Sequence, residues 1–106
     1  MIKIKSIDAS EAKVMIDNSE AVVVDVREPG EFQEMHIEGA TLIPVGGITN
    51  AKLPPLNNKK LIIHCKLGKR GSMACEKLLA ENPQLDVYNL EGGITAWQDA
   101  GYKVIK

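Results

Sequence analysis

Hydrophobic and polar positions follow two different rhythms along this chain. Two short apolar runs rich in β-branched residues, Ala21 to Val26 (AVVVDV) and Leu61 to Cys65 (LIIHC), have the length and continuity of strands covered on both faces. Such strands belong in a parallel sheet, because crossover helices cover both of its faces. Around them the rhythm becomes helical. Asp8 followed three residues later by Glu11 has the form of a capping box, and Ala12, Met15 and Ile16 then share one helix face, which predicts a helix ending near Asn18. Glu28 to Glu34 reads as a short helix with Pro29 in its first turn, where the missing N–H is not needed. Thr41 to Ile43 is a brief strand stopped by Pro44. Gly46, Gly47, Asn50, Pro54, Pro55, Asn57 and Asn58 mark a loop-rich connection with room for one helical turn. From Gly71 a helix runs to about Asn82, with Ala74, Cys75, Leu78 and Leu79 on one stripe and Pro83 just beyond. Asp86 to Leu90 reads as a strand, Gly93 to Ala100 as a last helix, and Gly101 as its stop. The alternation of strand and helix predicts an α/β sandwich, with no internal repeat, linker or low-complexity stretch.

Composition narrows the function classes. With 106 residues, 44% hydrophobic and 25% charged, the chain is expected to be one globular domain spanning residues 1–106. Thirteen Lys+Arg against fourteen Asp+Glu leave a formal charge of -1, and the aromatic residues are only Phe32, Tyr88, Trp97 and Tyr102. Neither the basic excess nor the stacking platforms of a nucleic-acid binder are present, so no nucleic acid is expected as a partner. The two cysteines, Cys65 and Cys75, are too few for a disulfide scaffold or a zinc site and point to a reducing compartment. The first residues lack the roughly 7 to 15 residue apolar run of a signal peptide. No stretch reaches the roughly 20 apolar residues of a membrane span, so a cytoplasmic protein with no membrane partner is expected.

The segment LIIHCKLGKRGSMAC, Leu61 to Cys75, carries the chemistry. It reads as a buried strand, a six-residue polar loop from Cys65 to Arg70, and then a helix. Successive N–H groups of such a loop, added to the positive end of the helix dipole, form a concave anion site. A thiolate in that cradle is favoured over the thiol, with Lys66, Lys69 and Arg70 adding positive charge close by. Gly68 permits a turn that a Cβ would obstruct. The loop is therefore suited to a nucleophilic sulfur that meets negative charge.

Here the sequence resembles the rhodanese family, whose active-site loop runs Cys, two residues, Gly, one residue, Arg and then an Ala; Cys65, Gly68, Arg70 and Ala74 match it. Two distant blocks agree. In VVVDVREPGEFQEMHIEGATLIP, Asp25, Arg27, Glu31, Phe32, His36, Ile37, Gly39, Ala40 and Pro44 fall at family spacings, as do Leu90, Gly92, Gly93 and Trp97 in VYNLEGGITAW. Two positions depart from the pattern: Gly71 stands where relatives commonly have Ser, and Met35 where many have Gly. The resemblance implies a three-layer sandwich with a central, mostly parallel five-stranded sheet flanked by helices. It also implies sulfur transfer of the thiosulfate sulfurtransferase type through a persulfide on Cys65. Lys66, Leu67, Gly68, Lys69 and Arg70 would bind a small anionic donor such as thiosulfate; the acceptor would be cyanide in vitro and a thiol in the cell. No cofactor or metal is required. An alternative reading is a persulfide carrier or protein-docking module, accepting sulfur from a relay protein with little thiosulfate turnover.

The remaining motifs have plainer readings. Cys75 lies on the apolar stripe of its helix and reads as core, with a resolving thiol as the other option. His64-Cys65 invites comparison with the phosphate loop of cysteine phosphatases, but only four residues separate Cys65 from Arg70 and that loop needs five. Strand alternation sends His64 to the face opposite Cys65. Asp25 and Arg27 read as a hydrogen-bonded pair fixing the following loop, and Glu31, four residues after Arg27, has the spacing of a helix-surface ion pair. His36 is expected to cap or pack the turn before Ile37, Gly92 and Gly93 to make a turn with positive φ, and Trp97 to fill the core.

Overall fold

The computed structural model describes residues 2–106. Its elements in chain order are β1 (Lys5–Ile7), α1 (Ala9–Asp17), β2 (Ala21–Asp25), α2 (Pro29–Glu34), β3 (Thr41–Leu42), β4 (Lys60–His64), α3 (Lys69–Glu81), β5 (Val87–Leu90) and α4 (Gly93–Asp99). Local chemistry accounts for the starts of the helices. Asp8 Oδ1 accepts the Glu11 N–H at 2.8 Å while the Glu11 carboxylate accepts the Asp8 N–H at 3.4 Å, completing the capping box expected for α1. Pro29 occupies the first turn of α2. The loop-rich connection after β3 holds two short 3-10 turns, Val45–Gly47 and Asn50–Lys52, in place of the single turn expected.

The strands form one sheet in the order β1-β5-β4-β2-β3, and every neighbouring pair is parallel. The sheet is thus wholly parallel, because each strand is joined to the next by a crossover on one of its faces. β1 was not evident in the hydrophobic pattern. It is three residues long with only Ile7 buried, and its pairing with Tyr88 to Leu90 of β5 makes it a strand.

Side-chain alternation along the central strands divides the core in two. Val24, Val26, Leu61 and Ile63 pack on one face with Ala74, Cys75 and Leu78 of α3. Val23 and Ile62 pack on the other with Ala12 of α1 and with Ile94 and Trp97 of α4. Each fully buried aliphatic side chain contributes about 1.5–3 kcal/mol of transfer free energy, and both faces of the sheet collect it. The architecture is the expected three-layer α/β sandwich.

This topology decides where a ligand can sit. β4 lies between β5 and β2, and the helices that follow β4 and β5 cover opposite faces of the sheet. Neighbouring strands whose connections part in this way leave a crevice beyond their carboxyl ends. Cys65 is the first residue beyond the end of β4.

Candidate active site

The loop after β4 is shorter than the sequence reading had it. Gly68, with φ +117°, caps α3, and the Ser72 N–H donates to its carbonyl at 3.0 Å. The helix therefore begins at Lys69, which leaves Cys65 to Gly68 as loop and puts Lys69 and Arg70 in the first helical turn.

The direction of the loop's peptide groups is set by α4. The Cys65 carbonyl accepts the Ile94 N–H at 2.9 Å, and the Lys66 carbonyl accepts the Thr95 N–H at 3.1 Å. Both donors belong to the first turn of α4, which has no intrahelical acceptor for them. A peptide's N–H points opposite to its C=O, so drawing these carbonyls to α4 turns the next N–H groups away from that helix. The Gly68 N–H donates to Cys65 Sγ at 3.0 Å. Such a close approach of loop to helix needs glycine at position 93. Its φ is +58°, and a Cβ there would stand 2.4 Å from the Cys65 carbonyl oxygen and 2.5 Å from that of Lys66. Gly92 has φ +71°, so the pair makes the positive-φ turn that the sequence suggested.

The two cysteines are both buried yet differ in surroundings. Cys65 packs on the α3 face at 1% exposure, and its sulfur has a backbone donor. Burial, helped by the neighbouring Cys65, pushes the Cys75 thiol up to about 12, which suits the core role expected of it.

The charged residues are arranged differently from the sequence expectation. Glu31 does not pair with Arg27. Its carboxylate takes two hydrogen bonds from Arg70, at 2.6 and 3.0 Å, and one from the Glu28 N–H at 2.9 Å. The hydrogen-bonded Arg70 guanidinium is the largest cause of the fall of the Glu31 carboxyl to about 2. Arg27 is instead buried, with Nε and Nη2 on the Asp25 carboxylate and a 2.8 Å bond from Nη2 to the Met35 carbonyl, tying the end of β2 to the end of α2. That matches the Asp25–Arg27 pairing expected. His64 lies opposite Asp25 in the sheet register, its Nε2 3.6 Å from Asp25 Oδ2. Burial pushes its value down, against the pull of Asp25, and holds the ring neutral. His36 Nδ1 meets the Phe32 carbonyl at 2.8 Å and its ring stacks on Phe32 at 3.9 Å, and Trp97 is buried, as expected.

Of the residues predicted to bind a donor, Lys66, Leu67 and Lys69 are exposed, and neither lysine forms an ion pair among the described residues. Beside the loop lies a cavity of about 220 Å³, lined in part by Arg27, Glu31, Met35, Lys66 and Thr95. One participant was missed in the sequence: the Asn89 side-chain amide donates to the Gly68 carbonyl at 3.0 Å. Its only signal was an amide inside the apolar strand VYNL. Among the described residues no three His, Cys, Asp or Glu side chains come together to hold a metal, and no helix is long and apolar enough to cross a membrane.

Residues 8–100 match the Rhodanese-like domain family. The chain belongs to the rhodanese family. Thiosulfate sulfurtransferase GlpE of Pseudoalteromonas translucida is 29% identical over 96 residues, covering 91% of this rhodanese and 90% of that protein. The Synechocystis protein slr1261 is 33% identical over 85 residues, 80% of this chain, but this chain spans only 47% of slr1261. A crystal structure of a rhodanese-related protein from Thermoplasma volcanium has a TM-score of 0.81 at 30% identity, covering 95% of this chain and 97% of that one. The five-stranded parallel sheet with flanking helices is therefore the rhodanese fold, and sulfurtransferases are among its distant relatives.

Proposed function

We propose that this rhodanese moves sulfane sulfur from a thiosulfate-like donor to a thiol acceptor through a persulfide on Cys65. The observation that carries the reading is the Gly68 N–H on Cys65 Sγ at 3.0 Å, within a loop whose carbonyls are drawn off to α4. In the first half-reaction the Cys65 thiolate attacks the outer sulfur of thiosulfate. The donor's S–S bond breaks, sulfite leaves with its electron pair, and Cys65 carries a terminal sulfur with one negative charge. The Gly68 N–H, joined by the loop N–H groups turned away from α4, stabilises that charge as an oxyanion hole would. In the second half-reaction an acceptor thiolate attacks the terminal sulfur, takes it as a new persulfide and returns Cys65 to its thiolate; cyanide in this role leaves as thiocyanate. Lys66 and Lys69 attract the anionic donor, while Leu67 and Gly68 shape the entrance and the cradle. Arg70 contributes less free charge than its closeness to Cys65 in the sequence suggests, because Glu31 neutralises it.

Thiosulfate–cyanide turnover together with mass spectrometry tests the reading. Turnover is expected to vanish in Cys65→Ser and to survive in Cys75→Ser, and thiosulfate is expected to leave a cyanide-sensitive adduct of about 32 Da, one sulfur atom, on Cys65. Turnover that persists without Cys65 would overturn the assignment. The adduct without turnover would instead identify a persulfide carrier.

A further inference from the structure

Gly68 is held from both sides. Its N–H is on Cys65 Sγ, and its carbonyl takes the Ser72 N–H and the Asn89 side-chain amide, all three at 3.0 Å. A glycine at φ +117° has no side chain to hold it there, so its conformation depends on these outside partners. Ser72 belongs to the helix that Gly68 itself begins. Asn89 is the partner from another element, reaching across from β5.

Asn89 is 9% exposed, and its Oδ1 is buried with no hydrogen-bond partner among the described residues. An unpaired buried amide oxygen is destabilising, a penalty that a side chain serving only to fill space would not carry. The orientation is fixed, since a flipped amide would set Oδ1 against the Gly68 carbonyl. That orientation lays Oδ1 over Gly71. A Cβ at position 71 would stand 2.2 Å from Oδ1 and 3.7 Å from the Cys65 nitrogen. Glycine at this helical position, one of the two departures from the family pattern, thus has a cause in space: Asn89 occupies the room that any side chain would need.

We infer that Asn89 is a positioning residue for the sulfur cradle, acting through Gly68, and that Gly71 is the gap through which it reaches. The functional half of this inference rests on the sulfurtransferase reading; the coupling of the two residues does not. Asn89 touches no substrate. It fixes the peptide group that meets the sulfur, so its loss lowers the reactivity of Cys65 more than the capture of donor by the surface lysines.

A cycle of Asn89→Ala, Gly71→Ala and the double variant tests this, with thiosulfate–cyanide turnover, the rate of Cys65 alkylation by iodoacetamide in a Cys75→Ser background, and melting temperature as readouts. Asn89→Ala is expected to lower kcat about tenfold, as the loss of one hydrogen bond to a charged site would, and to slow alkylation by a similar factor. The KM for thiosulfate is expected to stay within about twofold. Gly71→Ala is expected to lower the melting temperature in the wild-type background, although alanine is the better helix former, and to raise it once Asn89 is alanine and the space is free. Wild-type kcat and alkylation in Asn89→Ala would overturn the inference, and so would a Gly71→Ala effect of the same sign in both backgrounds. Should Asn89→Ala not fold, Asn89→Ser takes its place in the cycle. A protein with no Cys65-dependent turnover would sink the sulfurtransferase reading alone, leaving the alkylation rates and the sign of the Gly71 effect to decide on Asn89.

Discussion

Glu31 and Arg70 are 39 residues apart in the chain and 2.6 Å apart in the fold. Their pairing changes the electrostatics of the loop, because one of the three cations close behind Cys65 is already answered by a carboxylate. It also gives a test whose sign follows from the Glu31 value of about 2, well below its ordinary 4.5. A depressed carboxyl contributes stability that is present above its unfolded value and lost as pH falls through its folded one. Glu31→Gln is therefore expected to destabilise the protein at pH 7, and the deficit to shrink as pH falls from 4.5 towards 2. Both side chains are about a third exposed, so solvent screening limits the effect to roughly 0.5–1 kcal/mol. Urea titrations at neutral and acid pH measure it, and a deficit that stays constant across that range would refute the assignment. No sequence rule could have paired these two residues: Glu31 has a nearer cation in Arg27 at helical spacing, but burial of Arg27 against Asp25 removes it.

The decisive contact between elements is that of α4 with the loop after β4. Gly93→Ala would push a methyl into two carbonyls and at the same time ask alanine to hold φ +58°. It is expected to cost about 2–3 kcal/mol, seen as a lower urea midpoint, and to reduce turnover more than the stability loss explains, since the carbonyls it displaces orient the cradle. A variant with unchanged midpoint and turnover would show that the loop does not depend on this approach. At this scale the sequence was legible where the signals were local. AVVVDV and LIIHC announced buried strands, Asp8 and Glu11 the start of α1, and Cys65 with Gly68 the loop proposed as the site. β1 escaped because two of its three residues are exposed and its pairing partner lies more than 80 positions away. The start of α3 escaped because Gly68 caps it through backbone geometry, without the polar side chain that marks the start of α1. Asn89 escaped because a polar residue in a strand ordinarily signals an outward face, whereas this one points into the fold to meet Gly68.

For the whole molecule, the layer between sheet and helices on the side away from α3 contains a buried polar trio. Asp25, Arg27 and His64 are all at most 2% exposed. Asp25 and Arg27 satisfy each other, and His64 stays neutral because burial outweighs the attraction of Asp25. The unfolded chain binds a proton at this histidine more readily than the folded one, so His64 contributes stability above its unfolded value of 6.5 that is lost as pH falls below it. Thermal melts between about pH 7.5 and about pH 5 are expected to show this decline in the wild type and a flatter profile in His64→Asn. Superimposable slopes would rule out His64 as the source.

One consequence of the clasp between α4 and the loop concerns how readily such a protein changes its clients. On the proposed function the sulfur is held by main-chain groups: the Gly68 N–H meets Cys65 Sγ, and the loop around it is set by N–H groups of α4, by Asn89 of β5 and by Gly93 of α4. The side chains at positions 66, 67 and 69 project outward and take no part in that scaffold. On the proposed function, recognition and chemistry thereby fall to separate sets of atoms. Substitution at those three positions is therefore expected to change donor or acceptor preference while leaving the contact between the Gly68 N–H and Cys65 Sγ in place.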